Sequence, residues 1–290
     1  MNKNRNAKYM SMLSLHSVWC VIFIVVPLLF VLYYTFTDEQ GHLTMGNFLY
    51  LGTPEILKCF GISIAYALAA TVVCLLLAYP LAMVIANIPA KNRSLATLLV
   101  MLPMWVSFII RTYTLKNLFN DNGIINQLLE AFVGLLKNIP AFSSMDFTPI
   151  RFIGTNGLII LGMVYDFFPY MVMPIVNVLT GIDPRLHEAA YDLGCTPWTG
   201  FLRVTLPLSR SGIVSGITMV FVPAVSTFYI SSTLSGGLVS LVGDKIEAAF
   251  LTEGNFNRGS ALSFVLMILI LLSLFVMNRF GDKESEELAP

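Results

Sequence analysis

In an apolar chain the few titratable side chains are where chemistry must be sought, and one aspartate stands apart from the rest. Asp166 lies in "GMVYDFFPYMVMPI" (162–175), well inside an apolar run long enough to cross a bilayer. An aspartate facing lipid at that depth costs about 2.5 to 3.5 kcal/mol, so it must face protein or water. One reading makes it a counter-charge for a cationic cargo, flanked by Tyr165, Phe168 and Tyr170, whose ring faces stabilise ammonium groups. The other makes it a buried hydrogen-bonding or packing residue. The remaining reactive side chains do not converge. Cys20, Cys59, Cys74 and Cys195 show no Cys-x-x-Cys spacing, and His16, His42 and His187 are scattered, so no disulfide framework, metal site or catalytic cluster is indicated. The phosphate-loop pattern G-x-x-x-x-G-K-[ST] does not occur, so this chain hydrolyses no nucleotide by that machinery.

The elements that position Asp166 are membrane-like. Apolar residues make up 56% of the 290 and charged residues 12%, against about 25% charged in soluble domains. A formal net charge of zero gives nucleic-acid binding no electrostatic support. Six runs, roughly 17–36, 60–88, 95–113, 157–180, 211–234 and 260–280, are long enough to span. They lack the alternation of a barrel, so an all-α, multi-pass membrane protein of one transmembrane domain is expected. The first run follows Lys3, Arg5 and Lys8 like a signal peptide, but it is too long and lacks a small-residue cleavage site; it is expected to stay as a span. With the N-terminus inside, ten of the 17 Lys and Arg fall on inside segments, which puts both termini and the 183–207 loop in the cytoplasm. Trp105, Arg111 and Tyr113, near the outer end of the third span, fit aromatic anchoring and snorkelling, with Trp105 also a candidate pathway residue. Phe228 and Tyr229 follow Pro223 in the fifth span and are candidates either for lining a pathway or for packing. The outer stretch "GIINQLLEAFVGLLK" (123–137) carries an apolar stripe suited to the outer interface.

One inner segment reads unlike its surroundings: "EAAYDLGCTPWTGFLRVTLPL" (188–208). Asp183 can cap a helix that starts at Pro184, Leu186, Ala189, Ala190 and Leu193 fall on one face, and Gly194 can supply a left-handed stop. Thr196 and Pro197 repeat the cap-and-start signal, and Trp198, Phe201, Leu202 and Val204 follow until Pro207 is expected to break the helix. A helix of about ten residues is marginal alone in water, so its apolar face needs a partner. Amphipathicity by itself leaves an interfacial helix on the inner leaflet open.

Glu188-Ala189-Ala190, three residues, Gly194, nine residues, then Val204-x-Leu206-Pro207 resembles the EAA loop of binding-protein-dependent ABC importer permeases. "PMWVSFIIRTYTLK" (103–116), "GMVYDFFPYMVMPI" and "VPAVSTFYISSTLSGG" (222–237) are similar to spermidine/putrescine permease subunits, in particular the first of the pair. The resemblance covers about residues 15 to 280 and implies a six-span type I importer domain. It further implies a second permease, two cytoplasmic ATPases that bind ATP and Mg, and an extracytoplasmic polyamine-binding protein, in a bacterial cytoplasmic membrane. The chain itself would carry no cofactor and no enzymatic activity. Arg185, Leu186, Glu188, Ala189, Ala190, Asp192, Gly194 and Pro207 would then form the ATPase-coupling surface, with Asp192 alternatively pairing back onto Arg185 or Arg203. "LSGG" (234–237) copies part of an ABC ATPase signature, but at the outer end of the fifth span its small residues are expected to form a turn. Two competing functions stay open: an ion-coupled secondary transporter using Asp166, which leaves the EAA loop idle and lacks a visible internal repeat, and an ABC permease for another small cation or metabolite.

Overall fold

The computed structural model describes residues 16–136 and 147–282; the expected basic positions Lys3, Arg5, Lys8, Lys137 and Lys283 lie outside the described residues. The elements, in chain order, are α1 (His16–Phe36), α2 (Gly46–Leu51), α3 (Pro54–Asn87), α4 (Ala90–Trp105), α5 (Phe108–Leu118) and α6 (Ile124–Leu136). They continue with α7 (Asn156–Gly181), α8 (Pro184–Asp192), α9 (Pro197–Leu208), α10 (Arg210–Ser226), α11 (Tyr229–Leu234), α12 (Val242–Glu247) and α13 (Phe256–Asp282). Among the described residues the only β feature is an isolated antiparallel bridge between Thr37 and Leu43. Among the described residues four helices are each long and apolar enough to cross a membrane: α1, α3, α7 and the Phe256–Met277 part of α13. The bent pairs α4 + α5 and α9 + α10 raise the possible crossings to six, the expected number.

Two of the expected spans are not single rods. The 95–113 run turns by 85° between α4 and α5. Pro103 removes one donor, the last turn of α4 tightens to a 3₁₀ form, and Val106 and Ser107 are extended (ψ 136° and 133°). The 211–234 run stops at Ser226 and restarts at Tyr229, with Thr227 extended (ψ 142°). The exposed carbonyls of that gap are covered by backbone: a Cβ on Gly243 would lie 2.5 Å from the Thr227 oxygen, so only glycine fits there. Val242 N beside it donates to Ser63 Oγ at 2.8 Å. Irregular backbone at membrane depth is tolerated where protein covers it in this way.

The chain divides into two compact units, one running through Lys58 and resuming at Lys245–Leu269, the other Cys59–Asp244 and from Ile270 onward. In the first, the carbonyls that α1 leaves unpaired at its C-terminal end are satisfied by two asparagines: Asn47 Nδ2 donates to the Thr35 and Thr37 oxygens (2.9 and 3.0 Å), and Asn257 Nδ2 to that of Thr37 (2.6 Å). A polar cavity of about 390 Å³ lies beside them, lined by Asp38, Glu39, Gln40, Asn47, Asn255 and Arg258 among others. The second unit is built around α7, whose Ile159, Met163, Met171, Val172 and Ile175 are fully buried. Helix α10 lies against it through Gly212 and Gly216, four residues apart on one face. A Cβ on Gly212 would stand 2.8 Å from the Pro174 carbonyl, and one on Gly216 2.7 Å from Met171 Sδ, so the two backbones meet where neither glycine has a side chain.

Candidate functional site

The 183–208 segment folds as the expected pair of short helices. Asp183 Oδ1 accepts from the Arg185 amide at 3.0 Å, and Pro184 takes the first helical position. The stop is a Schellman turn: Gly194 has φ +83°, its amide donates to the Tyr191 carbonyl (2.9 Å), and the Cys195 amide donates to that of Ala190 (3.0 Å). Thr196 Oγ1 then caps α9, accepting from the Thr199 amide at 3.3 Å. The two helices are tied by His187 Nε2 and Thr205 Oγ1 at 2.9 Å.

The apolar face is only partly used within the chain. Ala190 is buried, whereas Leu186 and Leu193 are 46% and 86% exposed, and Trp198 on α9 is 67% exposed. Arg185, Glu188, Ala189 and Asp192 also face outward. Among the described residues Asp192 makes no ion pair with Arg185 or Arg203. Pro207 does not end the helix as its sequence context predicts. A wide π turn, Phe201–Thr205, precedes it, with the Leu206 amide donating to the Phe201 carbonyl; that spacing clears the proline ring, and the 63° bend falls at Ser209 instead. The same device, a π turn at Val21–Val25, precedes Pro27 in α1.

Asp166 faces protein. It is 1% exposed; Thr112 Oγ1 donates to its Oδ2 at 3.0 Å, and Arg111 Nη1 lies 3.1 Å from its Oδ1. That second contact is a close charge pair rather than an aligned hydrogen bond, because Oδ1 and Arg111 Nε are both buried without a hydrogen-bond partner. Arg111 Nη1 donates instead to the Asp166 carbonyl at 3.4 Å. Arg111 is 7% exposed, which corrects its reading as a snorkelling residue: the bend at Ser107 turns α5 so that Arg111 meets α7. Its signal was present in the sequence, since opposite charges in two apolar runs are each costly alone and cheap together.

Around this pair the aromatic candidates separate into groups. Ring contacts run from Tyr229 to Phe108 (6.2 Å), Phe108 to Phe167 (6.4 Å) and Phe167 to Tyr170 (6.4 Å), joining Tyr170 and Tyr229 in one row. Tyr165 instead borders an apolar cavity of about 440 Å³ with Leu77, Leu99, Leu115 and Phe168. Phe228 is 42% exposed in the α10–α11 gap, and Trp105 76% exposed at the elbow between α4 and α5. The 234–237 segment is the turn expected of it, with Gly236 and Gly237 at φ +60° and +84°. Tyr79 and Ser209 went unremarked in the sequence, yet their hydroxyls lie 2.7 Å apart in the interior.

Spans and bent spans in this order, with a capped helix pair joining α7 to α10, are the architecture of an ABC importer permease domain. The fold matches a bacterial ABC transporter involved in the import of the acidic polysaccharide alginate, with a TM-score of 0.79 at 16% identity over 96% of both chains. It also matches the MetNI methionine ABC transporter, at 0.51 and 14% identity over 85% of this chain and 100% of that one. The chain belongs to the binding-protein-dependent transport system inner membrane component family, whose model matches residues 78–283. It is 35% identical to the spermidine/putrescine transport system permease protein PotB of Haemophilus influenzae over 267 residues, 90% of each chain. Against the protein of that name from Escherichia coli K12 it is 33% identical, covering 90% of this chain and 93% of the other. The inner membrane ABC transporter permease protein YdcU of Escherichia coli K12 is 29% identical over 86% of this chain and 81% of its own. The chain is thus a multi-pass inner-membrane transport component, a permease subunit and not the hydrolytic one.

Proposed function

We propose that this permease forms half of the translocation pathway of an ATP-driven importer of polyamines such as spermidine and putrescine. The observation that carries the cargo class is 35% and 33% identity, over 90% of this chain, to relatives named for those two amines. A second permease supplies the other half, two cytoplasmic ATPase subunits hold ATP and Mg, and an extracytoplasmic binding protein delivers the cargo. The termini and the α8–α9 pair face the cytoplasm, in keeping with the Lys and Arg distribution. Leu186, Leu193 and Trp198, left uncovered by their own chain, fit a cleft in the ATPase, with Arg185, Glu188 and Asp192 at its rim. The row Tyr170, Phe167, Phe108 and Tyr229 suits a path for ammonium groups, and the Arg111–Asp166 pair fixes its geometry.

The test is spermidine uptake by the assembled complex in proteoliposomes. At φ +83° a Cβ at position 194 meets no neighbouring atom, so the cost of Gly194→Val is set by backbone strain, about 1 to 2 kcal/mol on the turn that sets α8. Uptake should fall while the spans stay inserted. Full ATP-dependent uptake by a well-expressed Gly194→Val complex would remove α8 from the mechanism. Accumulation by the lone chain under a proton or sodium gradient would replace the importer with a secondary transporter.

A further inference from the structure

Between the helix pair and the spans stands one buried polar joint. Ser209 sits at the 63° bend between α9 and α10, in the sparsely populated bridge conformation (φ −88°, ψ 0°). Its hydroxyl donates to the Leu206 carbonyl at 3.0 Å, so the lone pair facing Tyr79 accepts, and the Tyr79 hydroxyl donates to Ser209 Oγ at 2.7 Å. Ser209 is fully buried and Tyr79 is 8% exposed. The Tyr79 ring meets Phe201 of α9 edge-on at 5.7 Å, and Phe201 packs on Trp198 at 5.5 Å. His187 and Thr205 join α8 to the same helix. Tyr79 is followed by Pro80, which cannot donate to the Leu76 carbonyl and leaves α3 weakest one residue from the joint. A continuous set of contacts therefore runs from the exposed face of α8 through α9 to a bend in one span and a proline in another.

We propose that Tyr79 is a positioning residue for transport: its hydroxyl, held on Ser209, fixes the α9–α10 bend to α3 so that displacement of the α8–α9 pair moves both spans together. This rests on the reading of α8–α9 as the ATPase-coupling element. Without the bond, α9 turns about Ser209 while α3 stays behind, and ATP is spent without cargo movement. The joint acts on coupling, not on cargo recognition, because neither hydroxyl is open to solvent or cargo.

The experiment uses the whole complex in proteoliposomes with its binding protein and measures spermidine moved per ATP hydrolysed. Tyr79→Phe keeps the ring and its contact with Phe201 while deleting the hydroxyl; Ser209→Ala removes the same bond from the other side. Each should lower the cargo-to-ATP ratio about fivefold, the factor one net hydrogen bond sets, with complex yield and ATP hydrolysis kept. The double variant should be no worse than Ser209→Ala alone, because that change already deletes the Tyr79 bond together with the one to the Leu206 carbonyl. A parental ratio in both single variants would overturn the proposal, and so would loss of the assembled complex in both, which would make the bond a folding contact. Gly194→Val, run alongside, separates the two claims. Loss of uptake in Gly194→Val with a parental ratio in Tyr79→Phe sinks the joint alone, whereas full uptake in Gly194→Val sinks the coupling role of α8 beneath it.

Discussion

Removing Arg111 should cost the protein more than removing any exposed charge, and the size of the cost follows from its surroundings. Arg111→Met keeps much of the side-chain volume and deletes the guanidinium. The Asp166 carboxylate, 1% exposed, is then left with one neutral donor, Thr112 Oγ1. Breaking a buried ion pair from one side costs about 3 to 5 kcal/mol. The Arg111 contact is close but not aligned as a hydrogen bond, which puts this pair at the lower end, about 3 kcal/mol. For a chain of this size each kcal/mol lowers a thermal midpoint by about 2 to 4 °C, so a fall of about 6 to 12 °C is expected. The assay is thermal unfolding of the detergent-solubilised complex, followed by loss of the monodisperse species. Asp166→Asn should behave similarly, because it leaves Arg111 buried without its counter-charge. The double variant Arg111→Met with Asp166→Asn should recover most of the loss, since replacing both charges is often close to neutral. Losses that add in the double variant would refute the pairing. A stable double variant whose spermidine uptake falls further than its putrescine uptake would refute the structural role and make Asp166 the cargo's counter-charge.

Two further expectations rest on separate parts of the chain. Gly212→Val puts a branched side chain 2.8 Å from the Pro174 carbonyl, a backbone atom that cannot swing aside; α10 should be forced off α7, and the yield of assembled complex in detergent should collapse, while Gly181→Ala, at an open position, should not change it. The Asp38 carboxyl is held below its ordinary value mainly by the amide hydrogen bond from His42, with a second from Gln40. A depressed folded value means the turn's stabilisation is present above pH 3.8 and is lost as pH falls through the lower folded value, and Asp38→Asn should raise amide exchange of His42 at neutral pH; unchanged protection would show that the backbone bridge between Thr37 and Leu43 holds the turn alone.

The helix pair was legible because its signals are local. Asp183, Pro184, Gly194, Thr196 and Pro197 each act within four residues, and each sits where its own chemistry requires. The long apolar runs were legible for the same reason, as hydropathy is a property of a window. What stayed hidden depends on partners distant in sequence. Arg111 looked like a residue at the end of a rod, because Pro103 permits a break between 95 and 113 but nothing local sets a turn of 85°. Tyr79 and Ser209 are ordinary residues 130 positions apart, and only the packing of α3 on the bend gives them to each other.

Prolines mark where a span can break but do not decide that it will. Pro103, Pro207 and Pro223 each precede a break or bend by two to four residues, yet α3 runs through Pro80 and α7 through both Pro169 and Pro174 without interruption. A freed carbonyl and a missing donor cost the same in every case. The difference lies in what reaches the gap from elsewhere. The Ser226–Thr227 carbonyls are closed over by Gly243, the adjacent Val242 amide is taken by Ser63, and the Ser209 bend by Tyr79. The Ser107 elbow releases α5 to place Arg111 on Asp166. Where a remote side chain or backbone satisfies the opened groups, an interrupted span is the stable form, and it leaves a joint at which one helix can move against the next. The joints of this permease are therefore set by Ser63, Tyr79, Asp166 and Gly243 as much as by its prolines.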